Sequence, residues 1–286
     1  MKGIELELNA SATPLAAEAS WRLGRWDALD ELPIQDANAE GNSDGIYQVC
    51  LGKAMLGLHQ KDVGSVRANL RRARNAVMEG MSSVARESYL RSYDHIVRLQ
   101  IVREIEDTSD VLCSDTPSFF SERVRSQWLN WDRRLDLTSS SGVGAILNAR
   151  LALTRMAGDL SLEAELYVQL GKRARKSGLR NIAANALAQA ESAICRIEPA
   201  KRAILQCNLR LQVAKLKHEY GESSAALRIL GQDDLEAVAS LQDDHLLTES
   251  ARNYVVSLGI EEHNMDKPKM TDVFVRSALQ STRWMI

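Results

Sequence analysis

Apolar side chains recur along this chain at steps of three and four residues and seldom at alternate positions, the spacing of helices rather than strands. The plainest stripe runs through NIAANALAQAESAICRI. There Ile182, Ala183, Ala186, Leu187, Ala190, Ile194 and Ile197 share one face, and Asn185, Gln189, Ser192 and Arg196 the other. Tyr89, Tyr93, Val97, Ile101 and Ile105 follow at strict four-residue steps, and Leu205, Leu209, Val213, Leu216 and Tyr220 make a third stripe. Pro14, Pro33, Pro117, Pro199 and Pro268 are expected at the edges of helices, where a missing N–H does little harm. Polar loops are expected at Pro33–Gly45, Asp107–Ser118, Thr138–Gly144, Gly231–Asp244 and Gly259–Lys269.

Three glycines punctuate the stripes in one manner. RLGRWDALDEL, RKSGLRNIAANAL and KHEYGESSAALRIL each end a helix with basic or apolar residues, place a Gly, and open a new helix with Ala and Leu. Gly24, Gly178 and Gly221 therefore read as left-handed helix terminators at hairpin turns. Trp21 and Trp26 lie on the two arms of the first turn and are expected to pack near its bend. Tyr93 belongs to the packing set of the second stripe. Gly178 and Gly221 are 43 residues apart, longer than the roughly 34 of a tetratricopeptide repeat. The expected fold is all-α, an α-solenoid of irregular antiparallel helical hairpins of the TPR/HEAT kind, with residues 1–286 forming one helical-repeat region.

Composition narrows the function without naming it. A formal net charge of −2 gives no domain-wide field for nucleic acid or acidic membranes. Cys50, Cys113, Cys195 and Cys207 form no CxxC pair, which reads as an intracellular, reducing setting. No window has the apolar length of a membrane span or a signal peptide.

Candidate chemistry is thin. His59, His95, His218, His245 and His263 are dispersed outside any HExxH or zinc-finger spacing, and His245 with Glu249 is too small a set for a metal. TSSSGVGAIL lacks the Lys-Ser/Thr ending of a phosphate loop and reads as an inter-helix loop. Neither a GxSxG elbow nor kinase hallmarks occur. The reading assigns no catalytic residue, no cofactor and no metal ligand. Two basic runs, Arg67, Arg71, Arg72 and Arg74, then Lys172, Arg173, Arg175, Lys176 and Arg180, suit either a phosphate or acidic partner or a solvated helix face. The second run ends a helix, where the dipole favours cations, and no aromatic side chains interleave to stack bases.

The order of segments resembles the FAT domain of ATR-like checkpoint kinases, in the phosphatidylinositol 3-kinase-related protein kinase family. The resemblance rests on AEASWRLGRWDALDEL, SYLRSYDHIVRLQIVREIED, WLNWDRRLDLTSSSGVGAILNARLALTRM and ARKSGLRNIAANALAQA in succession, from Glu18 to Leu230. It implies a regulatory helical scaffold that wraps a C-terminal kinase domain, takes part in dimerisation through a second FAT domain, and transmits activator binding. The parent family phosphorylates Ser/Thr before Gln in nuclear DNA-damage signalling, with an ATR-interacting protein as partner. On this reading the chain is part of a much larger protein and carries no kinase domain. Its partners are the kinase domain and the flanking helical repeats, with neither nucleic acid nor membrane bound directly. The apolar set Val273, Phe274, Ala278, Leu279, Trp284, Met285 and Ile286 is expected to meet such a neighbour. A free-standing TPR-like adaptor that binds a peptide in its groove is the alternative. It calls for a regular carboxylate clamp, which the unequal spacing of Gly24, Gly178 and Gly221 does not supply.

Overall fold

The computed structural model describes residues 2–32, 43–82, 89–113, 123–128 and 140–230. All regular structure among these residues is helical, and they fall into two compact units divided at Gly158 and Asp159.

The first unit contains α1 (Lys2–Leu23), α2 (Trp26–Asp30), α3 (Ser43–His59), α4 (Val63–Ser82), α5 (Tyr89–Leu112), α6 (123–128) and α7 (Ser140–Ala157). Its centre is α3, which α1, α2, α4 and α5 all touch. A helix covered on so many sides must be apolar all round. Tyr47, Val49, Cys50, Leu51, Ala54, Met55, Leu56 and Leu58 of α3 are all buried. Close approach comes from Gly52, where an added Cβ would meet Leu29 Cδ1 at 3.1 Å and Ala17 Cβ at 3.4 Å. Lys53 is the polar side chain buried on this helix. Its buried ammonium donates to the carbonyls of Leu29 and Asp30 at 3.1 Å each, closing the end of α2 where the helix dipole favours a cation.

The second unit contains α8 (Leu160–Lys176), α9 (Arg180–Cys195), α10 (Pro199–Glu219) and α11 (Ser223–Ile229). Asp159 caps α8 by accepting from Leu162 N at 3.0 Å, and Pro199 opens α10 where its missing N–H costs nothing. In α9, Ala183, Ala186, Leu187, Ala190, Ala193 and Ile194 are buried. Small residues there bring α8 so close that a Cβ on Gly171 would meet Leu187 Cδ2 at 2.7 Å.

Three hairpins turn with one hydrogen-bond pattern. Arg25 N donates to Ser20 O, Leu179 N to Ala174 O, and Glu222 N to Lys217 O, at 2.8, 2.9 and 3.0 Å. Each is the six-to-one bond of a Schellman motif. Gly24, Gly178 and Gly221 sit at its left-handed position with φ of 69°, 74° and 82°. Gly158, which ends α7, has φ 72° as well.

Several expectations need correcting. Pro14 lies inside α1 rather than at its edge. Asp107 to Leu112 belong to α5, and residues 140–144 of TSSSGVGAIL open α7, so that stretch is helix where a loop was expected. Hydrophobic residues on both sides explain the extensions, since buried Val111 and Val143 give each end a face to bury. Ile182 and Tyr220, placed on buried stripes by their spacing, are exposed. The expected loops at Gly231–Asp244 and Gly259–Lys269, together with Pro33, Pro117, Pro268, His245, Glu249, His263 and the apolar set from Val273 to Ile286, lie outside the described residues.

Candidate functional site

The chemically richest place in the first unit is a half-open cleft of about 260 Å³ where α1, α3, α5 and α7 converge. Two arginines dominate it. Arg98 from α5 is ion-paired with Asp44 at the start of α3, and its guanidinium carbon lies 5.3 Å from the Tyr47 ring centroid. Arg22 from α1 is paired with Glu18 one turn earlier and lies 5.5 Å from the Trp21 ring centroid. The hydrogen bond from Arg98 holds the Asp44 carboxyl below its ordinary range. Burial works against the Arg98 charge, yet Asp44, with Tyr47 and Asp94, more than offsets it and raises the guanidinium pKa. Burial also pushes the Tyr47 phenol up, so it stays protonated. Both cations are thus committed to pairs: Arg98 with Asp44 joins α5 to α3, and Arg22 with Glu18 braces α1 itself, rather than poising a proton for transfer.

A second polar centre ties α5, α6 and α7 together. Arg150 Nε and Nη2 donate to Glu104 Oε2 and Oε1 at 2.7 and 2.8 Å, with both side chains almost wholly buried. The Trp128 ring lies 4.8 Å from the guanidinium carbon, and Gln100 Nε2 donates to Glu104 Oε1 at 3.0 Å. Bidentate geometry and a covering indole are what a buried ion pair needs to repay its desolvation.

The basic run on α4 lines a polar cleft of about 430 Å³ with α5 and α6. There Arg74 is bonded to Glu106, and Arg67 lies 3.7 Å from Asp110. In the second unit Arg175 is paired with Glu219, and Arg180 lies 5.1 Å from the Tyr220 ring centroid. Among the described residues no group of three His, Cys, Asp or Glu side chains can hold a metal ion. Burial raises the thiols of Cys50 and Cys207, the latter to about 11, which keeps them poor nucleophiles.

A family model described as the FAT domain matches residues 13–285. The chain belongs to the FAT domain family. Among curated relatives, it is 33% identical over 135 residues to the serine/threonine-protein kinase ATR of Arabidopsis thaliana, covering 43% of this chain and 5% of that protein. It is 27% identical over 198 residues to ATR of Oryza sativa subsp. indica, covering 61% and 7%. The serine/threonine-protein kinase TOR of Oryza sativa subsp. japonica is 24% identical over 192 residues, covering 62% and 8%. The chain therefore spans less than a tenth of the length of these relatives. FAT is a non-catalytic part of such kinases, and the described residues of this FAT chain are helical.

Within the FAT fold the marked residues part company. Trp21 is buried in the α1/α3/α5/α7 cleft, whereas Trp26 stacks on His59 with centroids 4.8 Å apart. Tyr93 is half-buried on α5. Among the described residues Trp21 Nε1 and Tyr47 Oη have no hydrogen-bond partner. The sequence reading missed Glu104, Arg150 and Trp128 altogether. The pair spans 46 residues, and no local pattern announces a contact at that separation. No helix among the described residues is long and apolar enough to cross a membrane.

Proposed function

We propose that this FAT chain is the regulatory helical scaffold of an ATR-like serine/threonine kinase that acts in DNA-damage checkpoint signalling in the nucleus. In this role it packs against the kinase domain, passes on activator binding, and meets the flanking helical repeats, a second FAT domain and an ATR-interacting protein. The observation that carries the reading is the FAT match from residue 13 to 285, joined to ATR relatives at 33% and 27% identity. Physical chemistry supports a scaffold over an enzyme. The charged centres at Glu104–Arg150 and Asp44–Arg98 fasten helix to helix, and such fastening lets a displacement at one helix reach its neighbours.

The test is a kinase assay on a Ser-Gln peptide with three samples: the chain alone, an ATR-like kinase domain alone, and both together. The chain alone transfers no phosphate, and its addition changes the rate of the kinase domain. Phosphate transfer by the purified chain, or an unchanged rate at saturating chain, contradicts the reading.

A further inference from the structure

The end of the second unit at which α8 passes to α9 and α10 to α11 is basic and apolar at once. Residues 172–183 and 217–223 carry six Lys or Arg side chains against two carboxylates. Both carboxylates are already engaged, Glu219 by Arg175 and Glu222 by Lys217. The Arg175–Glu219 pair and the Arg180–Tyr220 contact bring the two turns together. Three of the seven large hydrophobic side chains left exposed among the described residues lie here: Leu179 at 47%, Ile182 at 51% and Tyr220 at 41%. Leu179 is the N-cap of α9 and Ile182 stands in its first turn. Ile182 also stands one turn before buried Ala186 on its own stripe, so the apolar face of α9 continues outward past its cover.

Exposed apolar groups gathered in a net-positive surface mark a docking site rather than a solvated face. Cations alone would suit nucleic acid, but phosphate backbones gain nothing from Leu179 and Ile182, and a lone Tyr220 is not a stacking platform. We propose that this end docks an acidic amphipathic helix from another protein. Its apolar side chains would cover Leu179, Ile182 and Tyr220, and its carboxylates would face Lys176 and Arg180. The proposal rests on the geometry of residues 159–230 alone and does not depend on the kinase-docking reading.

The test uses the full 286-residue chain and a labelled synthetic helical peptide of Leu, Ala and Glu, with Leu at three- and four-residue steps, followed by fluorescence anisotropy. The control peptide has the same composition in permuted order. The amphipathic peptide binds at least about tenfold more tightly than the permuted one, and added salt weakens it. Lys176→Glu, at an exposed position, and the pair Leu179→Ser with Ile182→Ser each weaken binding about tenfold, while circular dichroism shows the helical fold retained at the assay temperature. Equal affinity for the two peptides overturns the proposal, as does preferential binding of anionic vesicles or single-stranded nucleic acid. A carbodiimide cross-link from Lys176 to Asp233, Asp234, Asp243 or Asp244 of the same chain also overturns it, because the surface would then be filled from within. Kinase-domain affinity measured on the same variants separates this proposal from the scaffold reading.

Discussion

Arg150 and Glu104 meet through two parallel hydrogen bonds at 2.7 and 2.8 Å, 46 residues apart in the chain and out of contact with solvent. Charge buried this deeply is tolerable only while both partners are present. Arg150→Met is therefore expected to destabilise the fold by about 3–5 kcal/mol, since it strands the Glu104 carboxylate. Arg150→Met combined with Glu104→Leu is expected to cost less than the sum of the two single changes. A double-mutant cycle from urea denaturation measures the difference. Simple additivity would mean that the pair does not act as a unit.

The helices themselves were legible because a buried stripe leaves a period in the sequence. Ala183, Ala186, Leu187, Ala190, Ile194 and Ile197 are buried as their spacing demands, and so are Val97, Ile101 and Ile105. Period alone does not say where the covering neighbour stops, which is why Ile182 and Tyr220 fall on a stripe and yet face outward. Loop composition misled at residues 140–144, because Ser and Gly lower helix propensity by less than the burial of Val143, Ile146 and Leu147 restores. The polar centres were invisible for a different reason. Asp44 and Arg98, like Glu104 and Arg150, sit on separate helices, and pairing between distant helices leaves no local trace.

The Asp44–Arg98 pair gives a pH dependence with a definite sign. Its folded-state carboxyl pKa lies below the ordinary value of 3.8, chiefly through the hydrogen bond from Arg98. A depressed carboxyl contributes stability that is complete above the unfolded pKa and is lost as pH falls through the folded one. Asp44→Asn should therefore melt at a lower temperature than the parent chain at neutral pH, and the gap should close on acidification below 3.8. Melting curves at stepped pH measure this. A gap that is constant down to strongly acid pH would show that the pair contributes nothing through its charge.

Two glycines of one hairpin separate steric crowding from backbone strain. A Cβ at Gly171 would fall 2.7 Å from Leu187 Cδ2, so Gly171→Ala should cost about 1–3 kcal/mol by prising α8 from α9. At Gly178 nothing lies within 4 Å of an added Cβ, but φ is 74°. Gly178→Val should cost on the order of 1–3 kcal/mol through the strain of a β-branched residue at positive φ. Leu187→Ala should relieve the first variant and leave the second unaffected. Denaturation midpoints for the parent, Leu187→Ala, the two glycine variants and the two combined variants read this out, and a coupling of Leu187→Ala to both would place the two glycines in one steric cluster.

The central claim is that this FAT chain is a scaffold made to sit against a kinase domain. Titration calorimetry of the full 286-residue chain into an ATR-like kinase domain, with analytical ultracentrifugation of the mixture, tests it most directly. The account predicts a saturable complex of micromolar affinity or tighter, with the chain alone self-associating at the same concentration and becoming monodisperse in the complex. A stable, monodisperse chain that releases no heat and forms no complex with that domain would contradict it, and would favour a free-standing helical adaptor.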